Sequence, residues 1–208
     1  MASTLPTSDP STRERILDAA LDLFARHGYA GVSMRQLAAA VGLRGSSLYN
    51  HFPGKDAIYA ALIDAHGPAS SAERLRSPRF RALHDDPAAF CRLYAAELLT
   101  QWQDPREQRF QDLMTTERHR MIAERAHYYD TLFREESGLV ADYFRDFALA
   151  GRITTRNPRE TARLFMAGLT FVRLEHFLVP ATPAPAEVVR EALDRLLANF
   201  LALIGAEA

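Results

Sequence analysis

Residues 42–59 read GLRGSSLYNHFPGKDAIY. They hold three glycines, two serines, Tyr49, His51 and Lys55, the only lysine of the chain. Leu48 and Phe52 stand four apart, which marks one apolar face of a brief helix over roughly residues 46–52. Just upstream, Ser33 and Gln36 form a capping box that opens another short helix with Leu37, Ala38 and Val41 inside, closed by Gly42. Helices this short are not stable alone and must pack on a partner. The preceding segment supplies one: Ser11 and Glu14 cap a helix carrying Ile16, Ala20, Leu23, Phe24 and His27 at helical spacing, stopped by Gly28. Two short helices joined by a tight turn and braced on a third make a helix-turn-helix.

The second short helix spends Leu48 and Phe52 on packing. Ser46, Ser47, Tyr49, Asn50 and His51 are left facing outward, small at the front, as a helix entering a DNA groove requires. No acidic residue lies between Asp22 and Asp56, whereas Arg26, Arg35, Arg44 and Lys55 fall there. The whole chain carries a formal net charge of −1, so this basic face is local. Lys55 opens a fourth helix, where the helix dipole disfavours a cation unless an anion also docks at the exposed N–H groups. The pattern predicts a phosphate clamp, with the Tyr49 hydroxyl and His51 as further donors. For Tyr49 the competing role is a partly buried core aromatic; for His51 it is a cap or packing contact; for Ser46 and Asn50 it is simple solvation.

The stretch ILDAALDLFARHGYAGVSMRQLAAAVGLRGSSLYNHFPGKDAIYAALI resembles the N-terminal domain of the tetracycline-repressor (TetR) family, through LFARHGY, Ser33 before MRQLA, and LYNHF with Lys55 three residues on. The resemblance covers about the first third of the chain and implies a homodimeric, ligand-responsive transcriptional regulator. It implies that Ser33, Tyr49, His51 and Lys55 hold DNA phosphates and that Arg35 reaches a base. Arg44, Gly45, Ser46, Ser47 and Asn50 would form the reading face, although Gly45 offers no side chain to read with. Arginine on guanine and asparagine on adenine are the natural major-groove pairings.

Beyond the fourth helix, residues 67–86 are rich in Pro, Ser, Arg and Asp and read as a basic connection. Helical patterns follow over Pro87–Gln103, over about 105–150 with one break near 117–126, from the Asn157 cap to about Val179, and over about 187–204. Phe90, Tyr94, Trp102, Phe110, Met114, Met121, Tyr128, Phe165 and Met166 are candidates to line an apolar effector pocket, each also a candidate for plain core. Glu117, Arg118, His119 and Arg120 are candidate polar anchors or a solvated helix face. A dimer seam is expected from Leu164, Gly168, Phe171, Val172 and Glu175 with Leu193, Leu196, Leu197, Phe200, Leu201 and Ile204, Gly168 allowing close approach.

Catalytic readings fail. PGK lacks the earlier glycine and the following Ser/Thr of a phosphate-binding loop. There is no H-E-x-x-H and no cysteine pair for zinc, so no catalytic residue, metal or cofactor is expected. The lone Cys91 reads as a small buried hydrophobe in a reducing compartment. No run approaches the roughly 18 apolar residues of a membrane span and the N-terminus lacks a secretory signal, so the expected location is the cytoplasm.

The expected fold is all-α. Residues 1–10 form a disordered arm, 11–56 a three-helix helix-turn-helix DNA-binding domain, and 57–208 a helical ligand-binding and dimerisation bundle, with a linking helix from about 55. The expected partners are a palindromic double-stranded operator, a small apolar or aromatic effector, and a second copy of the chain, without a membrane. The expected activity is a repressor released by its effector. The alternative is a helical small-molecule carrier or enzyme with a vestigial helix-turn-helix.

Overall fold

The computed structural model describes residues 11–65, 69–117, 126, 131–180 and 182–206, with side chains at 69–71 and 131–133 excepted. The chain divides into two compact units: residues 1–66 with 108–124, and residues 67–107 with 125–208. Every regular element among the described residues is helical, and none is long and apolar enough to cross a membrane. The expected arm at 1–10, the anchors Arg118, His119 and Arg120, and the pocket candidates Met121 and Tyr128 lie outside the described residues.

The first unit contains α1 (Thr12–His27), α2 (Met34–Ala40), α3 (Gly45–Tyr49) and α4 (Lys55–Ala65). Both capping boxes form: Glu14 N–H donates to Ser11 Oγ at 3.2 Å, and Gln36 N–H to Ser33 Oγ at 3.3 Å. Ile16, Leu17, Ala20, Leu21 and Phe24 of α1 pack inward with Leu37, Leu48, Phe52, Ile58, Tyr59 and Leu62. Tyr59 of α4 lies against Tyr29 and Phe24, with ring centroids 5.6 and 6.4 Å away. All of α4 therefore belongs to this core rather than to a linker.

Helix α8 (Pro105–Thr116) adds Phe110, Leu113 and Met114, all buried, to the first unit. The division between the units falls within this helix, after Glu107. The boundary read from sequence at residue 56 thus differs from the packing twice over.

The second unit contains α5 (Ala69–Leu75), α6 (Pro78–Arg81), α7 (Pro87–Gln103), α9 (Ser137–Leu149), α10 (Pro158–Arg173) and α11 (Ala186–Leu203). A π-helical segment, Thr131–Glu136, leads into α9, and another, Leu174–Leu178, follows α10. The expected connection at 67–86 is instead two short helices whose Leu75 and Phe80 enter the core. Three of its four arginines meet acids: Arg74 and Arg79 meet Glu97 at 3.3 and 2.8 Å, and Arg76 meets Glu135 at 2.7 Å. The core is strongly aromatic, with Phe80, Phe90, Tyr94, Phe144, Phe165 and Phe200 in mutual ring contact. Cys91 is fully buried among them, and loss of hydration pushes its thiol pKa well up.

Candidate nucleic-acid interface

The α2–α3 turn depends on Gly42, whose φ of +70° a side chain would resist. Leu43 N–H returns to the Ala38 carbonyl at 2.8 Å and closes the end of α2. Arg15 of α1 reaches the Val41 carbonyl at 3.1 Å, fixing that end against α1. On this frame α3 buries Leu48, and Phe52 beyond it is buried too. Arg44, Gly45, Ser46, Asn50 and His51 face solvent, with Ser47 half-buried. Tyr49 is 55% exposed, so its ring is not core. A Cβ at Gly45 would meet nothing within 4 Å, which leaves the start of α3 open to a large partner. Ser33 and Arg35 are exposed at the start of α2.

Lys55 has company that the sequence did not disclose. Its ammonium donates to the Tyr29 and Val32 carbonyls at 2.6 and 2.5 Å and stands 4.2 Å from the Tyr29 ring centroid. These two carbonyls offset the unfavourable dipole at the start of α4 without any outside anion. An ammonium has three N–H groups, and the third has no partner among the described residues. Tyr29 is held at its other ends as well: its N–H donates to Glu117 Oε1 at 2.9 Å and its hydroxyl to Asp56. Glu117, a candidate anchor for an effector, is thereby engaged inside the first unit. Tyr29, Val32 and Glu117 carry no local signal of this role, because their partners lie 23 to 88 residues away.

The electrostatics sharpen the face. Arg26 pairs with Asp22, which also receives Arg109 of α8 at 3.1 Å. The Arg26 hydrogen bond above all, then the Arg26 charge and Arg109, holds the Asp22 carboxyl below its usual range against the opposing effect of burial. Arg35 and Arg44 have no ion-pair partner among the described residues. Two guanidiniums without ion-pair partners among the described residues, two serine hydroxyls, an amide and a phenol are thus exposed within residues 33–50.

Residues 16–62 match the family model of bacterial regulatory proteins, tetR family. Residues 16–62 thus form a domain of the tetR-family type. The transcriptional regulator UidR of Escherichia coli K12 is 33% identical over 63 residues, covering 30% of this chain and 32% of UidR. RutR of the same organism is 37% identical over 51 residues, 24% of each chain. The chain thus matches about a third or less of the length of these curated relatives. The likeness in fold extends much further. Salmonella enterica GusR superposes with a TM-score of 0.64 at 22% identity over 96% of this chain and 99% of GusR. SmeT, the repressor of a Stenotrophomonas maltophilia multidrug efflux pump, gives 0.66 at 21% identity over 93% and 90%.

Beyond this N-terminal domain the candidate pocket residues separate. Phe90, Tyr94, Trp102 and Phe165 are buried in the second unit, while Phe110 and Met114 belong to the core of the first. Met166 lines an open groove of about 750 Å³ along α10, with Arg134, Arg159, Arg163 and Phe171. Sequence reading missed two buried acids. Glu136, 3% exposed, accepts the Tyr94 O–H at 2.6 Å, and desolvation followed by this carboxylate raises the tyrosine pKa. Glu107 takes Arg173 at 2.7 Å. An acid within a helical pattern reads as exposed, so neither had a signal.

The proposed seam also divides. Leu164 and Phe171 are 61% and 63% exposed, and with Leu174, Glu175 and Leu178 they make one outward stripe on and beyond α10. Val172 is buried, as are Leu193, Leu197, Phe200, Leu201 and Ile204 of α11, all in the core of their own unit. Those six cannot face a partner without unpacking that core, which corrects their assignment to a seam. Leu196 is half-buried, and a Cβ on Gly168 would lie 2.7 Å from its Cδ1. The glycine thus allows close approach of α10 and α11 within one chain.

Proposed function

We propose that the chain is a homodimeric repressor of the tetR type, acting in the cytoplasm on a palindromic operator and released by a small apolar or aromatic effector. The observation that carries the DNA-binding half is the exposed set Arg35, Arg44, Ser46, Tyr49 and Asn50 on the helix pair α2 and α3, its two arginines without an ion-pair partner among the described residues. Arg44 and Asn50 suit base edges in the major groove, while Ser33, Tyr49, His51 and the third N–H of Lys55 suit phosphates. The apolar stripe of Leu164, Phe171, Leu174 and Leu178 supports pairing with a second copy. Two copies would present two reading helices to half-sites about 34 Å apart or a multiple of it. An effector that binds better to a conformer with another spacing would release the operator by shifting populations.

The experiment is salt-dependent binding to DNA upstream of the protein's own coding region, followed by a genomic binding-site map. Preference for one palindrome, with log affinity falling linearly against log salt, is the expected result. Binding that is equally weak on every sequence would instead favour a carrier or enzyme with a relict motif.

A further inference from the structure

The second unit holds a charged pair, a buried Glu107 and a half-buried Arg173, beside its single tryptophan. Arg173 Nη2 donates to Glu107 Oε1 at 2.7 Å, and the guanidinium carbon stands 5.8 Å from the centre of the Trp102 ring. Phe177 meets the same indole with centroids 5.8 Å apart. Arg173 is the last residue of α10, and the backbone widens at once into the π-helical segment Leu174–Leu178. Such segments often mark functional sites. The Nε–H of Arg173 is buried and donates to no acceptor among the described residues. Burying a guanidinium donor without an acceptor is unfavourable, and native interiors seldom tolerate it without a use.

We propose that Arg173 Nε–H is the polar anchor of the effector, and that the effector is a neutral aromatic compound bearing a carbonyl. Its oxygen accepts from Nε, and its ring lies against Trp102 and Phe177. Charge decides the class. Glu107 already cancels the charge of Arg173, so a ligand carboxylate at Nε would stand beside a second carboxylate. A cation offers Nε no acceptor. A carbonyl satisfies the donor and adds no charge to a low-dielectric interior. This deepens the ligand-responsive reading given above and rests on it.

The test uses the full-length protein with ¹⁵N-labelled arginine and tryptophan, titrated by NMR with acetophenone, toluene and benzoate in separate samples. Trp102 supplies the one indole N–H signal, and the Arg173 Nε–H signal is assigned by its loss in Arg173→Lys. Acetophenone should shift both signals saturably and bind roughly three- to tenfold more tightly than toluene, as one added hydrogen bond allows. Benzoate should be the weaker of the two carbonyl ligands. In Arg173→Lys, which keeps the charge facing Glu107, the preference for acetophenone over toluene should vanish. Equal binding of acetophenone and toluene by the wild type, or tighter binding of benzoate, would overturn the proposal whether or not the variant folds, and so would an unmoved Arg173 signal once assigned. Operator affinity is measured separately with the same compounds. Acetophenone that shifts both signals but leaves DNA binding unchanged upholds the anchor and counts against the ligand-released repressor.

Discussion

At the scale of single residues, Lys55 joins a structural role to a proposed DNA contact, and the two are separable. Lys55→Ala leaves the Tyr29 and Val32 carbonyls without their charged donor, which should cost about 1–3 kcal/mol in urea denaturation. If the third N–H also meets a phosphate, the same change should lower the salt dependence of DNA binding by about one counterion. Arg44→Ala should alter DNA preference with stability kept within about 0.5 kcal/mol, because Arg44 is exposed and unpaired. Asp22 allows a test by pH. Its folded-state pKa is depressed, so its contribution is fully present above the unfolded value, about 3.9, and is lost as pH falls through the lower folded value. The difference in melting temperature between wild type and Asp22→Asn should therefore hold steady from neutral pH to about 4 and shrink below it. A difference that grew on acidification would contradict the pairing with Arg26 and Arg109.

At the scale of elements, α10 and α11 make opposite predictions for the same chemistry. Phe171→Glu places a charge on the outward stripe and should yield a folded monomer in sedimentation, with weak operator binding. Leu197→Glu buries a charge in the unit's own core and should cost several kcal/mol of stability instead. If Phe171→Glu sediments as wild type does, the stripe is not a seam. The contrast also shows what a sequence discloses. The capping boxes at Ser11 and Ser33, the glycine stops and the Asn157 cap are local signals, and the structure contains each of them. The apolar positions of α11 announce that faces are buried but not by what, since an intramolecular core and a dimer seam use the same residues. Likewise α5 and α6 were hidden because they are too short for periodicity to register.

At the scale of the molecule, the proposed reading face could be named from sequence because its residues are contiguous, from Ser33 to Lys55, and its motif is specific. The frame beneath it was not, because Glu117 and the apolar face of α8 come from far along the chain. A fragment ending at residue 66 lacks Phe110, Leu113 and Met114, whose burial is worth about 1.5–3 kcal/mol each. Together that is a large share of a typical domain's stability of about 5–15 kcal/mol. Such a fragment should unfold at markedly lower urea than the same unit in the full chain, as followed by exchange protection of the amides of α1 and α4. The discontinuity also governs recombination. A hybrid made by joining these first 66 residues to the remainder of a tetR-family protein receives a foreign α8 under its own helix-turn-helix. It inherits an ill-matched floor where Phe110, Leu113 and Met114 belong, and no acid for the Tyr29 N–H unless the donor happens to bring one. A workable crossover has two cuts rather than one, carrying residues 108–117 along with the head they support.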